Sequence, residues 1–86
     1  MEEAMEVIAS YIPEGDSFMN FRNLRKHSIM TNTYRFTVDI VSLDFLISLM
    51  EDEKILNVYF NPSIPPPGTG IDGISLRYKI YVQFDQ

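Results

Sequence analysis

The chain has 86 residues, 45 % of them hydrophobic, and a formal net charge of −5. That length supports one core and one domain, residues 1–86, and the apolar content excludes global disorder. The acidic balance argues against a general nucleic-acid binder or a polybasic membrane surface. The absence of cysteine excludes disulfides, thiolate catalysis and Cys-based metal centres.

The chain begins "MEEAMEVIAS", too acidic for a secretory signal, and no run approaches the ~18 apolar residues of a membrane helix. Residues 2–12 predict a helix. Ala4, Met5, Ile8, Tyr11 and Ile12 recur at three- and four-residue spacing, and Pro13 and Gly15 end the element. Residues 17–25, "SFMNFRNLR", alternate weakly and predict a polar edge strand, followed by a turn in "KHSIMTN". "TYRFTVDIV" alternates cleanly, with Tyr34, Phe36, Val38 and Ile40 on one face and Arg35, Thr37 and Asp39 on the other.

Ser42 is a good N-cap for a second helix, "LDFLISLMEDEK". Its expected inner stripe is Leu43, Leu46, Ile47 and Met50, widened by Phe45 and Leu49. "ILNVYFN" predicts a third strand with Leu56, Val58 and Phe60 inward and Asn57 and Tyr59 outward. In "NPSIPPPGTGIDG", Pro62 is expected to stop the ladder, Pro65–Pro67 to extend the chain, and Gly68, Gly70 and Gly73 to turn it back. Residues 74–84 predict the last strand: Leu76, Tyr78, Ile80, Val82 and Phe84 inward, Arg77, Lys79, Tyr81 and Gln83 outward. The order αββαββ favours an α+β fold with two helices on one face of a four-stranded antiparallel sheet. Its expected form is two-layer and ferredoxin-like, circularly permuted, with the last strand central.

Catalytic signatures are absent. His27 has no sequence-adjacent carboxylate and falls in the expected turn, and consecutive carboxylates in "EDE" point apart on a helix. The glycines of the loop precede a strand, so no helix N-terminus is offered to a phosphate. "RYKIYVQF" has the alternating aromatics of an RNA-stacking strand, but lacks its glycines. No enzyme activity, cofactor, metal or nucleic-acid partner is expected.

Four phrases carry a family resemblance: a helix closing on "SYIPEG", a strand pair ending in "YRFTVDIVS", the helix "SLDFLISLMEDEK", and "ILNVYF" followed after a loop by "ISLRYKIYVQF". In this order the chain resembles the periplasmic domain of the PilN and PilO proteins of type IV pilus machines. The GspL and GspM proteins of type II secretion share that fold. The resemblance implies a scaffold at the periplasmic face of the bacterial inner membrane, pairing with itself or a paralogue and needing no cofactor. The family's membrane helix and coiled coil are missing, so the chain would be an excised domain. The alternative is a free-standing binding module, such as a phage or viral inhibitor; a hydrophobic helix encoded upstream of Met1 would separate the two.

The open sheet face supplies the candidate interface: Arg35, Thr37, Asp39, Tyr59, Arg77, Lys79, Tyr81 and Gln83. Tyrosines among polar groups are a composition favoured at interfaces. Strand edges at 17–25 or 55–61 offer a second route.

Overall fold

A computed structural model describes residues 2–12, 18–63 and 77–85. Helix α1 (Glu3–Ser10) is followed by strands β1 (Arg22–Ser28) and β2 (Thr33–Val38), helix α2 (Leu43–Glu51), and strands β3 (Ile55–Ser63) and β4 (Arg77–Phe84). The strands form one antiparallel sheet in the order β1-β2-β4-β3. The last strand is therefore central, and β1 and β3 are the edges.

The core follows from alternation. Tyr34, Phe36 and Val38 pair across the ladder with Val82, Ile80 and Tyr78. All but Tyr78 are buried, and they join Ile8 of α1 and Phe45 and Leu49 of α2 in a single cluster. Both helices thus cover the same sheet face. Phe36 is the hub, with its ring centroid 4.9 Å from Phe21 and 5.9 Å from Phe45. Among the described residues, the other sheet face has no helix above it. Ser42 caps α2 as its sequence suggests, its hydroxyl accepting from the Phe45 amide at 3.5 Å.

Several expectations need correction. The first strand starts later than residue 17 and runs on through "KHS", so His27 lies in β1 and the turn is confined to residues 29–32. The displacement has a local cause. Asn20 and Asn23 adopt positive φ, 48° and 62°, which asparagine tolerates better than most residues. The first ends extended pairing ahead of Arg22, and the second forms a bulge inside the strand.

Helix α2 is rotated from the expected stripe. Phe45 and Leu49 face the core, with Leu46 packed beside them, while Leu43, Ile47 and Met50 lie outside. Apolar residues fill all of this helix except the Asp44–Ser48–Glu51 stripe, so periodicity could not choose which part of that wide arc is buried. Leu56 is also outside: Ile55 pairs with Phe84 and Asn57 with Gln83, so Leu56 sits in a bulge and escapes alternation. Phe60 keeps the core-side register opposite Ile80 but remains 43 % exposed.

Pro62 does not stop the ladder; pairing continues through Pro62↔Tyr78 to Ser63↔Arg77. At an edge strand, the missing N–H can face away from the neighbour at no cost to the ladder. The expected turn at Pro13 and Gly15, the proline–glycine loop from Ile64 to Gly73, and the inward Leu76 lie outside the described residues.

Candidate functional site

The uncovered sheet face is built in rows across the strands. Arg35 of β2 pairs with Tyr81 of β4, and Tyr81 with Tyr59 of β3. One row further, Thr37 pairs with Lys79, and Lys79 with Asn61; Gln83 lies on the same face, opposite Thr33 and Asn57. Asp39 follows Val38 at the end of β2, and Arg77 opens β4 opposite Ser63. Register therefore puts seven of the eight expected residues on this face, Arg35, Thr37, Tyr59, Arg77, Lys79, Tyr81 and Gln83; Asp39, one residue past the β2–β4 pairing, joins them through its ion pair with Arg22.

Two further arginines join them. Strict alternation would send Arg22 and Arg25, three residues apart, to opposite faces. The bulge at Asn23 inserts one residue, so Arg22 pairs with Thr37 and Arg25 with Arg35, both on the open face. The result is a depression of about 330 Å³ lined by Arg22, Asn23, Arg25, Arg35, Thr37, Arg77 and Lys79. It contains five of the chain's seven Lys and Arg residues and no carboxylate. Sequence reasoning missed Arg22 and Arg25 because a bulge breaks the period it relies on. The one available signal was an asparagine, a residue that accepts positive φ, inside a weakly alternating segment.

Charge on this face is compensated only at its end. Asp39 accepts from Asn20 Nδ2 at 2.8 Å and from Arg22 at 2.9 Å, and Arg22 also donates to the Asn20 carbonyl at 2.7 Å. The Asn20 hydrogen bond first, with Arg22 and the charge of Arg77 adding to it, holds the Asp39 carboxyl below its ordinary value; desolvation, second in size to the Asn20 bond, opposes them. Arg25, Arg35, Arg77 and Lys79 make no ion pair among the described residues. Beside this cluster lies an aromatic group: exposed Tyr59, half-buried Tyr81, and His27 set edge-on to Tyr81 at 4.9 Å.

A second surface differs in kind. Leu43, Ile47 and Met50 fall on one side of α2 and are 73 %, 44 % and 59 % exposed. Leu43 and Phe60 share a groove of about 480 Å³ with Ile40, Leu46 and Tyr78, whose ring stacks on Phe60 at 4.9 Å. Leu56, in the β3 bulge, is 56 % exposed. A further cavity, about 500 Å³ between α1 and the end of the sheet, is edged by Glu3, Lys54 and Phe84; the exposed Lys54–Glu3 ion pair there contributes little.

Among the described residues, no three His, Cys, Asp or Glu side chains converge as metal ligands, and no helix is long and apolar enough to cross a membrane. No protein-family model matches this chain, and no curated protein or solved structure is significantly similar to it.

Proposed function

We propose that this chain is a non-enzymatic assembly domain that pairs with a second copy of itself through α2 and the β3 edge. One observation carries the proposal: Leu43, Ile47 and Met50 are exposed on one side of α2, and Leu43 shares a groove with exposed Phe60 of β3, whose outer edge pairs with no strand among the described residues. A standard interface buries about 800 Å² per partner, up to about 65 % of it apolar in homodimers. These four residues together expose roughly 400 Å², within the roughly 300–600 Å² of the largest apolar patch on a typical monomer, a patch that is often functional. The open sheet face is poorly suited to the same task. A symmetric face-to-face dimer would set its uncompensated cations against their own copies, and like-charge juxtaposition is costly.

The strand order β1-β2-β4-β3, with a helix before β1 and another after β2, supports reading the fold as a circularly permuted ferredoxin-like domain. It is compatible with the PilN/PilO resemblance, and under that resemblance the pair would form part of a periplasmic scaffold of a pilus or type II secretion platform. Light scattering over a concentration series tests the pairing. The wild-type mass should rise toward twice the 10.0 kDa of the chain, and Ile47→Asp should keep it monomeric with the fold retained. A wild type that stays monomeric at all concentrations contradicts self-pairing, and a paralogue bound through the same surface would move the proposal to a heterodimer.

A further inference from the structure

The basic depression is costly to maintain. Arg25 stands directly opposite Arg35, and Lys79 opposite Thr37, the next open-face residue along β2. Like charges placed opposite each other destabilise a sheet, yet the depression contains no carboxylate. The bulge at Asn23, a non-glycine residue at φ 62°, adds a further local cost while bringing Arg22 onto the same face as Arg25. Arrangements that oppose stability and converge on one concave surface are expected where a ligand of opposite charge compensates them.

We propose that the open sheet face binds single-stranded nucleic acid. Arg25, Arg35, Arg77 and Lys79 hold phosphates in the depression, and Tyr81 and Tyr59 stack bases beside it. The planar forks of arginine suit phosphate oxygens. Rows two residues apart along a strand are separated by about 6.6–6.8 Å. The Arg35–Tyr81–Tyr59 row therefore lies one short step from the Thr37–Lys79–Asn61 row, and a strand crossing the face meets cations and aromatic rings side by side. An acidic peptide would use the arginines but leave the tyrosines idle, and a duplex keeps its base faces stacked inside.

Net charge is a poor guide here because it averages two unlike surfaces. Glu3 and Glu6 lie on α1, and Asp44 and Glu51 on α2, in the layer on the other side of the sheet. A strand approaching the open face meets mainly cations. The surface is separate from the apolar side of α2, so dimerisation and this binding can fail independently.

Fluorescence anisotropy with a labelled deoxythymidine decamer tests the proposal, with a uridine decamer alongside; binding of either supports it. Affinity should fall with salt with a log–log slope of about −0.7 per phosphate neutralised, so about −3 for four cations. This corresponds to roughly 50-fold weaker binding at 200 mM than at 50 mM salt. Arg35→Gln and Lys79→Gln should each reduce the slope by about 0.7. Tyr81→Ala should weaken binding by about 5- to 150-fold, the loss of one stacked base. If Tyr81→Ala unfolds, Tyr81→Leu keeps apolar bulk without the ring and takes its place. Ile47→Asp should leave binding unchanged. No binding at 50 mM salt overturns the proposal. So does polyphosphate or polyglutamate binding as tightly per charge as the decamer, with Tyr81 variants unaffected.

Discussion

Replacing Arg35 with glutamine is expected to stabilise the fold, although it removes a side chain from the middle of the sheet. Arg35 lies on β2, directly opposite Arg25 on β1, and neither makes an ion pair among the described residues. Relieving one directly opposed like-charge pair is worth about 0.2–1 kcal/mol. At about 4–8 °C per kcal/mol for a domain of this size, Tm should rise by about 1–8 °C. Glutamine retains part of the aliphatic stem, so the packing of that stem on the sheet is only partly lost. The gain must also depend on salt, because the Debye length shrinks from about 10 Å at 0.1 M to about 3 Å at 1 M. Circular dichroism melts of both proteins at low salt and at 1 M salt measure the effect. A lower Tm for Arg35→Gln at low salt, or a shift of equal size at 1 M, would refute the electrostatic account of the depression.

Phe36→Ala should cost about 3–5 kcal/mol, because Phe36 is buried where β2, Phe21 and Phe45 meet. Total stability for a chain of this length is about 4–13 kcal/mol, so urea unfolding should show a much lower midpoint or no folded baseline. Asp39 predicts an acid limb. Its folded carboxyl is held below the ordinary value, chiefly by Asn20 and then by Arg22. Its contribution is therefore fully present above the unfolded pKa of about 3.9 and is lost as pH falls through the lower folded value. Melts between pH 2.5 and 7 should show this loss reduced, but not abolished, in Asp39→Asn. Asp52 remains, its carboxyl lowered by the Tyr11 hydroxyl and by the Lys54 amide.

Much of the architecture was legible because alternation in two strands is uninterrupted. Tyr34, Phe36 and Val38, with Ile80, Val82 and Phe84, read directly as one buried face, and their neighbours Arg35, Thr37, Lys79 and Tyr81 as the other. Placing β4 in the centre followed from the expected ferredoxin-like layout, with which its long apolar face agreed. The two edge strands were less legible, because each contains a bulge. One removes Leu56 from the core side, and the other adds Arg22 to the open face. No simple periodicity announces an inserted residue.

The helix error has a different origin. With Leu43, Phe45, Leu46, Ile47, Leu49 and Met50 in eight residues, the apolar arc of α2 is far wider than one buried face, and only the Asp44–Ser48–Glu51 stripe is polar. Sheet geometry, not sequence pattern, decides which side is buried. The excess apolar surface is the physical basis of the proposed pairing, and it was visible in composition only as a helix too hydrophobic for one buried face. The charged site was half legible: Arg35, Arg77 and Lys79 came from alternation, whereas their convergence with Arg22 and Arg25 required the register of β1.

Hydrogen exchange at two protein concentrations tests the central claim, self-pairing through α2 and β3, most directly. If two copies join on this side, the β3 amides facing away from β4 should exchange more slowly at the higher concentration, and those of β1 should not change. Ile47→Asp should abolish the difference. Concentration-independent exchange along β3, or protection that appears at β1 instead, would contradict the account.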